Sequence, residues 1–497
     1  MTATGATIIR GGRVLDIRAH RAEPADILLD GDTIAEIGPP GLAAPAGATL
    51  VDAGGTLLHA GLVNAHTHAH GNLAKGMGDL WTLELLLTAG PWISGGRTHE
   101  ERYLSAKLGA VEMLLKGCTA AYDLPFEWPA PTVEGLQAVG RAYAEVGMRA
   151  VVAPMLADRT FFEAIPGLND VLPPDLQKAV EALRLAPWKT SVENMRAALR
   201  AWPLDRERVR LGLAPTIPHH CSDDFIRACV DVAKEHGAGL HTHVAESKVQ
   251  AIVGLQRYGK TLTAHLDDLG VLGPRFTVAH GVWLDDDDMR RLGERGASVA
   301  HNPGSNMRLG NGLADMHAML QRRVNVAVGT DGANCSDNQN VYEAMRLASI
   351  ASKARCPDIE RWVTTEQAAL AATEGGARAL GLDNVGRLAP GYKADIVFLD
   401  LAHPNWIPVN DPTNQLVHTE DGGGVRHVMV GGRLVVDNRR LTTVDLAALA
   451  REAEAARERL ARVNAPVKAL YERLAPVVGR FCPGLAHRPY HINRYVG

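Results

Sequence analysis

Eight short apolar runs, separated by stretches with helical spacing, predict an α/β fold built on a (β/α)8 TIM-type barrel. Two further observations agree. The runs are continuously apolar rather than alternating, as in parallel strands covered on both faces. Polar side chains collect at their C-terminal ends, the face on which such barrels carry their sites. Short strands near both ends of the chain predict a small β-sandwich attached to the barrel.

Residues 1–58 supply the first part of that sandwich. Ile8-Ile9 precede a Gly11-Gly12 turn, Ile27-Leu28-Leu29 precede Asp30-Gly31, and Ile34-Ala35-Glu36-Ile37 follows. Residues 59–384 supply the barrel. Its strands read LVNAH (62–66), TAAYDL (119–124), RAVVAPM (149–155) and VRLGLAP (209–215), then AGLHTHVAE (238–246), FTVAHG (276–281), ASVAHN (297–302) and VNVAVGTD (324–331). Helical segments at 99–116, 132–146, 222–236, 247–258 and 285–295 lie between them. Residues 385–440 return to β texture in ADIVFLDL, VRHVMV and RLVVD, and complete the sandwich. Residues 441–497 open with a charged amphipathic helix, VDLAALAREAEAARERLARV. They end in an aperiodic stretch, PGLAHRPYHINRYVG, which reads as an arm laid on a neighbouring subunit.

Composition removes several classes of function. Lys plus Arg number 52 against 56 for Asp plus Glu, a net charge of −4, so the basic excess of a nucleic-acid binder is missing. No apolar run reaches the roughly 18 residues that a membrane-spanning helix needs. The first residues lack the basic–apolar–small order of a signal peptide. Six cysteines form no CxxC pair, which leaves neither a disulfide framework nor a cysteine zinc site. The expectation is a cytoplasmic protein acting on a small molecule, with no nucleic-acid or membrane partner.

The chemistry-bearing residues stand at strand ends. The first strand ends in His66-Thr67-His68, and i and i+2 in an extended chain point to the same side. The fifth ends in His243 with Glu246 three residues on, the sixth in His280 and the eighth in Asp331. Imidazole and carboxylate together suit zinc, iron or manganese. Each piece has an ordinary reading too: an HxH pair in the core, a glutamate favouring a helix N-terminus, an Asp-Gly turn. Four separate strand ends, each carrying a ligand-type side chain, favour a metal site over these.

The segments GLVNAHTHAHGNLAKG (61–76), LHTHVAES (240–247), VAHG (278–281), HNPGSNMRLGNG (301–312) and GTDGANCSDN (329–338) resemble the amidohydrolase superfamily. With GRLAPGYKADIVFLDL (386–401), they are most similar to its cytosine-deaminase-like branch of nucleoside, guanine and triazine aminohydrolases, over about residues 5–440. The resemblance implies one divalent metal per chain, zinc with iron as the alternative, held by His66, His68, His243 and Asp331. His241 stays outside the set, since the family's ligand histidine lies three residues before the glutamate. The fourth-strand stretch VRLGLAPTIPHH lacks the Lys or Glu that bridges two metals in binuclear relatives. Glu246, His280 and Asp331 are implied as catalytic residues: His280 and Asp331 hold and orient the attacking water, and Glu246 shuttles a proton. A homodimer or homotetramer is implied as well.

The resemblance implies a hydrolytic deaminase of an N-heterocycle. The alternative keeps the metal but hydrolyses an amide, urea or carbamate C–N bond or a C–Cl bond. A catalytically inert relative would have shed part of the ligand set, which this chain retains. Two loops depart from the adenosine-type pattern and point away from a nucleoside. Pro91-Trp92-Ile93 lacks the acid that contacts ribose, and Ala214-Pro215-Thr216-Ile217-Pro218-His219 replaces the usual A-P-H-x-P-Y. The apolar loop carrying Trp81 and Trp92 reads either as a lid over a flat ligand or as helices packed on the barrel rim. Trp81, Trp92 and Asn306 are the candidate substrate contacts.

Overall fold

The computed structural model describes residues 5–336 and 338–496. Residues 1–4 and 497 of the expected terminal segments, and residue 337 of the 329–338 motif, lie outside the described residues.

The two distant β segments share one nine-stranded sheet. Ala6–Asp16 pairs antiparallel with Arg21–Asp30 and parallel with Thr56–Ala60, which pairs antiparallel with Ile396–Asp400. Val425–Val430 and Arg433–Asp437 extend it. Ile9, Ile27, Leu29, Leu58, Ile396 and Phe398 form one apolar cluster from both chain ends. A buried ion pair between Arg149 and Asp395, at 2.8 Å, fastens this sheet to the strands that carry the site.

Those strands are parallel and form two sheets. β1 (Leu62–Thr67), β2 (Cys118–Asp123), β3 (Arg149–Val152) and β4 (Val209–Leu211) make the first. β5 (Leu240–Val244), β6 (Phe276–His280), β7 (Ser298–His301) and β8 (Asn325–Val328) make the second. Hydrogen bonds join the sheets at both edges. On one side the His243 amide donates to the Thr216 carbonyl at 2.8 Å; on the other the Asp331 amide donates to the His66 carbonyl at 2.9 Å. The expected strands at 149–155 and 209–215 are each interrupted, and resume as a short pair, Met155–Leu156 with Ala214–Pro215. Pro154 has no amide to donate, one cause of the break.

All five expected helices form, and each begins at a side-chain cap that meets orphan amides of the first turn. Thr98, Thr132, Ser222, Ser247 and Asp285 are the caps. Three helices border the site. α1 (Leu83–Ser94) and α2 (His99–Leu115) follow β1, and α3 (Lys248–Tyr258) follows β5.

The tail carries one element that the sequence reading left out. After α4 (Leu446–Val463), a second helix, α5 (Ala465–Ala486), runs through Pro476 and Pro483. Its buried Leu474, Val478, Cys482 and Leu485 recur at helical spacing and pack on Phe161, Phe162 and Leu168, so tertiary burial overrides the proline cost. The final stretch is anchored on its own chain through Arg494. Arg494 donates from Nε to the Val282 carbonyl at 3.0 Å and from Nη2 to the Leu284 carbonyl at 2.6 Å. Among the described residues, no helix is long and apolar enough to cross a membrane.

Candidate metal and catalytic site

His66, His68, His243, Glu246, His280 and Asp331 converge at the C-terminal ends of β1, β5, β6 and β8, and all are buried. Three of these strand ends carry non-glycine residues in the left-handed region: Ala245 at φ 51°, His280 at 70° and Asp331 at 61°. Such backbone is strained, and here it is confined to the turns that deliver Glu246, His280 and Asp331. The Asp331 turn is fixed by side chains behind it. Gln339 Nε2 donates to the Asp331 carbonyl at 3.0 Å, and Asn64 Oδ1 accepts from the Thr330 amide at 3.0 Å.

The hydrogen bonds of the histidines decide which nitrogens face inward. His68 Nδ1 donates to the Leu124 carbonyl at 2.8 Å, and His243 Nδ1 to the Thr216 carbonyl at 2.7 Å. A carbonyl oxygen only accepts, so both Nδ1 atoms carry protons, and in the neutral rings both Nε2 atoms present lone pairs. Those two Nε2 atoms nevertheless lie 3.3 Å apart. His66 Nδ1 meets His241 Nε2 at 3.2 Å, while the buried His66 Nε2 has no hydrogen-bond partner. Asp331 Oδ1 stands 3.1 Å from His68 Nε2 and 3.5 Å from His66 Nε2. Donor atoms of His66, His68 and Asp331 fall within 4.8 Å of one another, as do those of His66, His243 and His280.

Lone pairs crowded around one point call for a positive charge among them. Burial pulls the His68 imidazole down, yet its hydrogen bond to Asp331, the charges of Asp331 and Asp123 and its bond to the Leu124 carbonyl together leave it raised. Burial brings His66 down to about 3. Burial also opposes ionisation of Asp331, but the surrounding imidazoles of His66, His68 and His280 hold it well below the usual carboxylate range. Three imidazole nitrogens and one ionised carboxylate, each ring held from behind by a second bond, fit a divalent ion of the zinc or iron type. His241 sits behind this set, edge-on to Tyr122 with ring centres 4.5 Å apart.

Glu246 and His280 complete the cluster. His280 Nε2 is 3.6 Å from Glu246 Oε2 and 3.8 Å from Asp331 Oδ2. Its Nδ1 donates to Asn306 Oδ1 at 2.9 Å, which leaves Nε2 able to accept a proton. Asn311 Nδ2 donates to Glu246 Oε1 at 3.2 Å. Burial, then the charges of Asp331 and Glu84, push the Glu246 carboxyl well above its usual range. The two carboxyls of the site are thus driven apart, Asp331 downward and Glu246 upward, the pattern that separates a base from an acid.

A cavity of about 580 Å³ opens above this cluster, with His68, His243, Glu246, His280 and Asp331 in its wall. Leu83, Leu86 and Leu87 of α1 and Phe126, Phe161 and Phe162 make it largely apolar. The three candidate substrate contacts are placed elsewhere. Asn306 is engaged with His280, and Trp81 and Trp92 pack edge-on to each other at 6.2 Å and against Tyr471 of α5 at 5.9 and 5.4 Å. None of the three is among the cavity-lining residues. Sequence reasoning passed over Asn311, although it lies in the same HNPGSNMRLGNG stretch as Asn306. It also passed over Asp123, which accepts from the Ala69 amide at 2.7 Å and so fixes the chain beyond His68.

Comparison with known proteins agrees with this geometry. Residues 57–435 match the model of the amidohydrolase family. The chain is 32% identical over 464 residues to a 5'-deoxyadenosine deaminase of Methanosarcina mazei, covering 93% of this chain and 94% of that one. It is 33% identical over 441 residues to a 5-methylthioadenosine/S-adenosylhomocysteine deaminase of Syntrophobacter fumaroxidans, covering 87% and 92%. Among solved structures, an adenosine deaminase from Xanthomonas campestris with bound zinc superposes with a TM-score of 0.80 at 26% identity, covering 91% of this chain and 98% of that one. The chain belongs to the amidohydrolase family and is a hydrolase acting on carbon–nitrogen bonds.

Proposed function

We propose that this protein is a metal-dependent hydrolytic deaminase that releases ammonia from an amino-substituted N-heterocycle. The observation that carries the reading is the placing of buried Glu246 3.6 Å from His280, itself 3.8 Å from Asp331, beside inward-facing imidazole lone pairs. The names of the relatives support it. In this reading His66, His68, His243 and Asp331 hold one divalent ion per chain, zinc before iron. When bound, the ion supplies Lewis acidity, which brings the pKa of a bound water from about 16 toward 7.

The chain's own residues then manage protons. His280 Nε2, with Asp331 beside it, accepts a proton from the water that attacks the amine-bearing carbon. Glu246 donates to the ring nitrogen as the carbon becomes tetrahedral and recovers a proton from the adduct's hydroxyl as the C=O forms, while the proton held on His280 passes to the departing amino group. Water is consumed, the C–N bond breaks, a C=O forms and ammonia departs. A well-placed acid of this kind contributes about 10²–10⁴ in rate. The largely apolar cavity suits a flat heterocycle and excludes competing water.

The fold we assign to this chemistry is a closed (β/α)8 barrel over residues 59–384. The hydrogen bonds at both sheet edges support that closure. Residues 1–58 with 385–440 would form the β-sandwich, and 441–497 the helical tail. We also propose a cytoplasmic homo-oligomer.

Hydrolysis of a C–Cl bond is the second reading. A solved structure of an atrazine chlorohydrolase from Arthrobacter aurescens complexed with zinc, 26% identical with a TM-score of 0.80 over 90% of this chain and 99% of that one, favours it. Incubation with aminopurines, aminopyrimidines, pterins and chlorotriazines separates the two: ammonia supports deamination, chloride supports the second reading, and neither sinks both.

A further inference from the structure

Trp283 lies in the turn after β6, just beyond His280, and is fully buried. It ties down both stretches of chain that place Glu246. Its backbone amide donates to the Ala245 carbonyl at 2.8 Å and so holds the left-handed turn immediately before Glu246. Its indole Nε1 donates to the Asn311 carbonyl at 2.8 Å, and the Asn311 side chain is the one that meets Glu246 Oε1 at 3.2 Å.

Trp283 is in turn gripped by residues 490–495 of the tail. The Arg494 guanidinium spans it, donating from Nε to the carbonyl of Val282 before it and from Nη2 to the carbonyl of Leu284 after it. Tyr490 and Tyr495 stand edge-on to the indole, with ring centres 6.0 and 5.1 Å away. The Arg494 carbonyl accepts from the Leu313 amide at 2.8 Å, so one residue holds both the Trp283 turn and the chain just past Asn311. The approach is close: a Cβ on Gly312, whose φ is 104°, would come within 2.8 Å of that carbonyl oxygen. His491 Nε2 adds a contact at 2.8 Å to Oδ2 of Asp285, the cap of the helix Asp286–Glu294.

Packing alone does not call for an arginine here. A buried guanidinium is costly, and its nearest carboxylate, Asp315 at 3.5 Å, is shared with Arg355 and Arg361. Its rigid fork of donors does suit two carbonyls that flank one residue. We propose that residues 490–495 are a strap that positions Glu246 for proton transfer, with Arg494 and Trp283 as its positioning residues. This rests on the deaminase reading of the site. Neither residue lines the cavity or belongs to the proposed ligand set, so the strap acts on kcat rather than on substrate or metal binding.

Two variants test it. Trp283→Phe keeps an aromatic ring and removes the donor to Asn311; Arg494→Met keeps the stem and removes both donors. Each is made alone and in the Glu246→Gln background, with ammonia release, metal content and amide hydrogen exchange of segments 244–250 and 306–314 as readouts. Alone, each lowers kcat about 10- to 100-fold, the scale of a displaced catalytic group, with KM and metal content within about twofold of wild type. In the Glu246→Gln background each costs less than about twofold, because the group being positioned has already lost its proton. Exchange rises in the two segments of both single variants. Equal losses in both backgrounds, or a loss carried by KM or by metal content, overturn the proposal. Should Arg494→Met fail to fold, Trp283→Phe carries the same test. Ammonia from the wild type with undiminished kcat in the variants removes the strap and keeps the deaminase. Faster exchange in the two segments, with no ammonia from the wild type, keeps the strap's hold on Glu246 and removes the deaminase.

Discussion

His280 and Asn306 are joined by one hydrogen bond, from Nδ1 to Oδ1 at 2.9 Å, and that bond decides what His280 can do. With Nδ1 committed as a donor, Nε2 is the basic nitrogen, and it is the one facing Glu246 and Asp331. Asn306 is therefore a positioning residue. Asn306→Leu should lower kcat by about 10- to 100-fold with metal content unchanged. Asn306→Asp places a negative charge on the same nitrogen and should move the acid limb of the pH–rate profile upward. A kcat loss in the Leu variant without that movement in the Asp variant would mean a packing effect only.

Glu246 is buried, accepts from Asn311, and is pushed by burial and the charges of Asp331 and Glu84 well above the usual carboxylate range. Glu246→Gln keeps that shape and removes the transferable proton. Its expected outcome is an unchanged metal content with turnover reduced about 10²–10⁴-fold. Wild-type rates in this variant would remove the proton-shuttle role.

Chelation should abolish turnover and lower Tm together, because folded protein with three facing imidazoles and an ionised carboxylate binds the ion far better than unfolded chain does. Asp331→Ala should lose the metal as well as the activity. Retained stoichiometry in that variant would place the ion elsewhere.

Much of this arrangement was legible in the sequence, and the reason is geometric. HxH at the end of an extended run puts two imidazoles on one side, and the other ligand-type residues each close an apolar run. What a sequence does not carry is which atom of a side chain meets which. Asn306 was visible as polar near a pocket, but its bond to His280 depends on the turn after β7. Trp81 and Trp92 have the composition of a lid, yet their partner is Tyr471 of α5, a helix hidden by its prolines.

The Trp81–Trp92–Tyr471 cluster makes a separate prediction. Trp81→Ala removes aromatic packing of the segment before α1 on α5, at a cost of about 2–4 kcal/mol. Denaturant titration should show this loss. A variant with wild-type stability and a greatly raised KM would instead place Trp81 against the substrate.

Stability should also fall in acid through His59. Its ring is fully buried between the Ala60 carbonyl and the Tyr342 hydroxyl, and burial brings it down to about 4. Between pH 6.5 and 4 the unfolded chain binds a proton there that the native protein does not, so unfolding is favoured as pH falls through this window. Over it, the wild type should lose about 3 kcal/mol relative to His59→Gln. A stability difference between the two that does not change with pH would contradict this.

The most direct test of the central claim is metal analysis of the purified protein coupled to ammonia release over aminopurines, aminopyrimidines, pterins and triazines. The account predicts about one zinc or iron per chain and stoichiometric ammonia from at least one amino-heterocycle. No bound metal after reconstitution with zinc, iron and manganese, or a full metal complement with no ammonia from any of them, would contradict it.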